Sequence, residues 1–114
     1  MEGKIVHVNI PSTNLAESQQ FYSDIFGWTF TPNNERYVLF DDGGMGGGFS
    51  LDPNPLPVDG VLLFIQVNDL NEKLQQIEEA GCKIVLSKTP IGGPGFYGVF
   101  TDPQGNRMGL YSKD

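Results

Sequence analysis

The sequence states one plan twice. His7-Val8-Asn9-Ile10-Pro11-Ser12-Thr13-Asn14-Leu15 opens a segment that runs to Phe26-Gly27, and Leu62-Leu63-Phe64-Ile65-Gln66-Val67-Asn68-Asp69-Leu70 opens one that runs to Ala80-Gly81. Each half reads as a strand, a capped helix, a glycine stop and three short strands. Self-similarity at about half the chain length means two copies of one supersecondary unit packed together. A site is then expected between the copies.

The first half is read as follows. Ile5 to Ile10 alternates, with Val6, Val8 and Ile10 on a face expected to lie under a helix and His7 and Asn9 on the other. Asn14 followed by Glu17 is a capping-box pattern, and Gly27 closes the helix it starts. Trp28 to Thr31, Tyr37 to Phe40 and Gly47 to Leu51 read as strands, and Pro32-Asn33-Asn34 as a turn. Pro53, Pro55 and Pro57 mark a semi-rigid connector over 53–59.

The second half repeats the pattern. Val61 to Val67 is apolar and strand-like, with Leu63, Ile65 and Val67 expected under the second helix. Asp69 and Glu72 form another capping box, and Gly81 stops that helix. Lys83 to Ser87, Phe96 to Thr101 and Arg107 to Tyr111 read as strands. Pro90 to Gly95 reads as a loop and Asp102-Pro103-Gln104-Gly105 as a turn. The boundaries are module one 4–52, connector 53–59 and module two 60–113, within one domain of 114 residues.

Charge and composition remove whole classes of function. Fourteen acids against seven bases give a net charge of −7, which disfavours phosphate binding and hence a nucleic-acid role. A neutral or cationic ligand is compatible with it. One cysteine, Cys82, excludes an internal disulfide and a multi-cysteine zinc site, and is read as a structural thiol. No secretory leader or membrane-length apolar run is expected, so the reading is a cytoplasmic protein with no membrane partner. The glycine run Gly43 to Gly48 lacks a Gly-Lys-Ser/Thr ending and precedes a strand, so it is read as turn and close-approach glycine, not as a phosphate loop.

His7 to Leu15, Phe21-Tyr22-Ser23-Asp24-Ile25-Phe26-Gly27-Trp28, Val67-Asn68-Asp69-Leu70 and Asp102-Pro103-Gln104-Gly105-Asn106-Arg107 together resemble the vicinal oxygen chelate superfamily, over essentially the whole chain. That superfamily includes glyoxalase I, fosfomycin and bleomycin resistance proteins and extradiol dioxygenases. The resemblance implies an α+β fold of two βαβββ modules, with curled, mixed, mostly antiparallel sheets around a shared cavity and helices outside. It also implies a homodimer, as is common among such proteins.

In catalytic members, His and Glu ligands from the first and last strand of each module hold a divalent metal. Carried onto this chain, those positions fall on His7, on Leu62, on Gly109 and within Gly47 to Leu51. Only His7 is a metal ligand, whereas a catalytic site needs about three. No divalent metal or other cofactor is therefore expected.

The candidate ligand-binding residues are His7, Asn9, Phe49, Leu62, Phe64, Gln66, Phe96, Arg107 and Tyr111, which together suit a small organic molecule. Phe96 and Tyr97 sit where a loop could close over a cavity. His7 is also the candidate general base. The leading expectation is a metal-free binder of the bleomycin-resistance kind. The alternative is a glyoxalase-like lyase or isomerase, using His7 with Asp41 or Asp42 as metal ligands or His7 without metal. A pure interaction module is the third reading.

Overall fold

A computed structural model describes residues 2–3, 5–52 and 61–114, so the connector expected over 53–59 lies outside the described residues. The chain divides into two compact units, residues 1–56 and 57–114.

Unit one contains β1 (Val8–Ser12), α1 (Leu15–Phe26), β2 (Thr29–Asn34), β3 (Tyr37–Asp41) and β4 (Gly47–Leu51). Its sheet has the order β1-β4-β3-β2, with β1 and β4 parallel and the other pairs antiparallel. Unit two contains β5 (Phe64–Gln66), α2 (Leu70–Glu79), β6 (Lys83–Pro90), β7 (Phe96–Thr101) and β8 (Arg107–Ser112), in the equivalent order β5-β8-β7-β6. Each unit is thus a βαβββ module, as the repeat and the resemblance imply.

The N-cap half of each expected capping box is present. The Asn14 side chain accepts from the Glu17 amide at 3.1 Å, and that of Asp69 from the Glu72 amide at 3.0 Å. Each bond satisfies an amide that the first helical turn leaves without a partner. Gly27 takes the left-handed conformation (φ 73°), and its N–H donates to the Ser23 carbonyl at 2.9 Å, ending α1.

Helix α1 buries Ser18, Phe21, Tyr22 and Ile25. Tyr22 stacks on Trp28 at 4.7 Å between ring centroids, and Trp28 stacks on Phe40 at 4.6 Å. The buried hydroxyls of Ser12 and Ser18 share a hydrogen bond of 2.7 Å, tying the end of β1 to α1 without leaving a polar atom unpaired. In unit two, Leu70, Leu74 and Ile77 of α2 are buried, as are Phe100 of β7 and Met108 and Leu110 of β8. Among the described residues, no helix is long and apolar enough to cross a membrane.

Several boundaries differ from the sequence reading. The first strand begins at Val8, not Ile5; Ile10 is buried, but Val6 is 72% exposed and is not covered by a helix. The fifth strand is only Phe64–Gln66, and the sixth extends to Pro90. Pro32, Asn33 and Asn34 lie in β2, and the turn falls at Glu35-Arg36. β2 is an edge strand, so a proline there removes no ladder donor that the sheet needs. The pairing shifts between Pro32 and Asn34, and the Asn34 side chain then accepts from the Arg36 amide at 2.8 Å to form the turn.

Candidate functional site

Each sheet has one face under its helix and one face turned away from it. In unit two a Cβ at Gly98 would meet the Leu70 and Leu74 side chains of α2, whereas one at Gly109 would meet the Phe64 ring. Alternation then sorts the rest. Phe64 pairs with Gly109, Gln66 and Tyr97 pair with Tyr111, and Thr101 pairs with Arg107, all on the face away from α2. On this face Phe64, Ile91, Tyr97 and Tyr111 line a cleft of about 430 Å³. Phe64 is 51% and Ile91 50% exposed. The Phe64 and Tyr97 rings lie 6.2 Å apart, tilted at 59°. Gly95 makes room at the rim, because a Cβ there would press on the Tyr111 ring at 2.7 Å.

Of the expected ligand-binding residues, Phe64 and Tyr111 line this cleft, and two others lie on the helix side of their sheets. Phe49 is 0% exposed and packs on Tyr22 of α1 at 5.2 Å, so it belongs to the core beneath the helix. Phe96 pairs with Ser112, which places it on the helix side of its sheet, where the Lys88 ammonium sits 4.4 Å above its ring. Tyr97, the next residue, is the one that points into the cleft. No sequence signal marks Ile91 as a lining residue; it follows Pro90, and its amide donates to the Gly95 carbonyl across the loop.

On the corresponding face of unit one, beside Pro11 and Leu39, polar side chains pair with one another. His7 Nε2 and Tyr37 Oη share a hydrogen bond of 2.6 Å, and Ser50 Oγ donates to Asn9 Oδ1 at 3.0 Å. Tyr37 reaches His7 by lying across β4 at Gly48, where any Cβ would overlap its ring. This gives one glycine of the run a physical reason: the phenol crosses a strand that offers no side chain. Asp41 and Asp42 accept from backbone amides of their own turn, Asp41 from Gly43 and Asp42 from Gly44 and Gly46.

Among the described residues, no three His, Cys, Asp or Glu side chains come together in a way that could hold a metal ion. At the positions that the resemblance assigns to ligands stand His7, Leu62, Gly109 and a strand whose only polar side chain is Ser50. This donor set does not fit a divalent metal. At Gly109 the space that a ligand side chain would enter is taken by the Phe64 ring, 2.5 Å from a Cβ built there.

Against protein-family profiles, the chain matches the one described as Glyoxalase/Bleomycin resistance protein/Dioxygenase superfamily over residues 4–110. The chain belongs to this superfamily. Among curated proteins, it is 27% identical to a "Glyoxylase-like domain-containing protein" of Didymella fabae over 99% of this chain and 96% of that one. It is 25% identical to the anthracycline biosynthesis protein DauV of Streptomyces sp. (strain C5), over 92% of this chain but 45% of DauV. Among solved structures, the fosfomycin resistance protein FosX of Listeria monocytogenes superposes with a TM-score of 0.84 at 15% identity, covering 100% of this chain and 96% of FosX. At that identity the likeness is one of fold. Members of this superfamily share modules, so function has to be argued from the residues on the module faces.

Proposed function

We propose that this superfamily member binds a small, planar organic molecule in the module-two cleft, without a metal and without transforming it. The observation that carries the reading is the cleft itself. Its volume falls in the range of about 300–1,000 Å³ typical of small-molecule sites, and its lining joins apolar surface to two phenol hydroxyls. Half-exposed Phe64 and Ile91 would gain about 25 cal/mol for each Å² that a ligand covers. The names of the relatives lean the same way: DauV is described through anthracycline biosynthesis and FosX through fosfomycin resistance, both concerned with small organic molecules.

Thermal-shift measurements on a panel of planar aromatic compounds test this. A compound that binds only the folded chain, present at a hundred times its Kd, adds about 2.7 kcal/mol of stability. The melting temperature should rise with at least one such compound, and the rise should be lost in Tyr97→Ala. A panel that moves neither protein, or moves both equally, argues against the cleft. A second reading, acid–base chemistry at His7, is favoured by its 2.6 Å hydrogen bond with Tyr37, which fixes the imidazole's orientation. Mass spectrometry of the recovered compound separates the two: an unchanged mass supports binding, and a converted product supports His7 chemistry.

FosX has been solved with Mn(II) and sulfate ion, so a fold of this kind can hold a metal. Our reading of this chain is that it does not, because one imidazole and water cannot make a closed or catalytic site. Elemental analysis should find well under one divalent metal per chain, and a chelator should leave the melting temperature unchanged, since no metal-binding energy is linked to folding. Leu62→His with Gly109→Glu should create metal affinity only when Phe64→Ala also clears the space over residue 109. One tightly held metal per native chain would overturn this reading.

A further inference from the structure

The strand register places a second group of side chains on the same face as the cleft. Lys83 of β6 pairs with Thr101 of β7, and Thr101 pairs with Arg107 of β8. The three therefore form one row across three strands, on the face that carries Phe64, Tyr97 and Tyr111. Lys83 and Arg107 are exposed. Among the described residues, neither cation has an ion-pair or hydrogen-bonding partner for its side chain.

The carboxylate nearest to this row in the chain, that of Asp102, is already occupied. It is buried in the β7–β8 turn and accepts from the Gln104 amide at 2.9 Å, the Asn106 amide at 2.8 Å and the Asn106 side chain at 3.1 Å. Besides the row, the described strands put Phe64, Gln66, Leu86, Thr89, Tyr97, Val99 and Tyr111 on this face, with no acid among them.

From this arrangement, and resting on the small-molecule reading above, we infer that the ligand is an aromatic acid: its ring lies in the Phe64–Tyr97–Tyr111 cleft and its carboxylate on the Lys83–Thr101–Arg107 row. Two cations two strands apart, about 10 Å between backbones, flank one hydroxyl donor. That suits a single anionic group, with the planar guanidinium able to bond both carboxylate oxygens. Arg107 and Tyr111 are four residues apart on β8, roughly 13 Å at a strand's rise, a gap that an arginine side chain turned along the strand would shorten to the length of a bicyclic acid.

The net charge of −7 opposes this preference, since it attracts cations overall. The local term wins on distance. At physiological salt, charges more than about 8 Å apart are largely screened, so scattered acids contribute little at a row that carries two cations of its own.

The test uses three naphthalene probes of one shape in titration calorimetry: neutral 2-naphthol, anionic 2-naphthoate and cationic 2-naphthylmethylammonium. The native chain should bind naphthoate about tenfold or more tighter than naphthol, as a charge-assisted hydrogen bond provides, and the cation most weakly. In Arg107→Gln, naphthoate should fall to the affinity of naphthol, with Lys83→Gln showing a smaller loss. Equal binding of the three probes, a preference for the cation, or a naphthoate preference that survives in both variants overturns the inference while leaving the cleft in place. Failure of all three probes to bind removes the cleft reading and the inference with it.

Discussion

Phe49→Ala should cost about 3–5 kcal/mol in urea denaturation, while Phe64→Ala costs under about 1 kcal/mol. The two residues look alike in the sequence, each an aromatic in a strand of one module. The sheet treats them oppositely. Phe49 is fully buried against Tyr22, Phe40 and Phe30, and its truncation leaves a void that the helix cannot collapse to fill. Phe64 is half exposed and rests on Gly109, so its loss uncovers little. If both variants lost similar stability, the division of the sheets into a helix face and an open face would be wrong.

Asp102→Ala should cost about 3 kcal/mol, more than its position in a loop suggests. A buried carboxylate there accepts three hydrogen bonds from Gln104 and Asn106. Its removal strands several donors at once, and bonds to a charged group are worth about 1.5–3 kcal/mol each. Asp102→Asn, which keeps one acceptor oxygen, should lose less. Amide hydrogen exchange at residues 104 and 106 should rise in the alanine variant ahead of exchange in α2. Unchanged protection at those two amides would show that the carboxylate does not organise the turn.

What could be read in advance depended on whether the signal was local. Asn14 with Glu17, Asp69 with Glu72, and Gly27 each act within one helical turn; both helices begin, and α1 ends, where those residues put them, whereas α2 ends at Glu79 with Ala80 as its cap, ahead of Gly81. The two-module plan was legible because it is written twice. Side-chain direction in the strands was harder. Alternation says that Phe96 and Tyr97 point opposite ways, but only the pairing of Tyr97 with Tyr111 says which of them enters the cleft. The burial of Phe49 is hidden for the same reason: with Gly47, Gly48 and Ser50 around it, β4 carries too little alternation to reveal its buried face. Pro32 reads as a turn residue until the strand that holds it is known to be an edge. In the Lys83–Thr101–Arg107 row, Thr101 and Arg107 flank a turn that the sequence shows, but Lys83 joins them only through the pairing of β6 with β7, which no spacing rule reveals.

The strand order also bears on how the chain can be made. In each module the last strand to be synthesised occupies an interior place, β4 between β1 and β3 and β8 between β5 and β7. On the ribosome neither sheet can close from its first three strands, because a gap one strand wide separates the earliest from the rest. Until residues 107–112 emerge, β5 and β7 present facing edges with unpaired amides and carbonyls, a template that any extended segment could enter. The nascent second module is therefore most open to mispairing late in its synthesis, and the arrival of β8 seals two edges in one step.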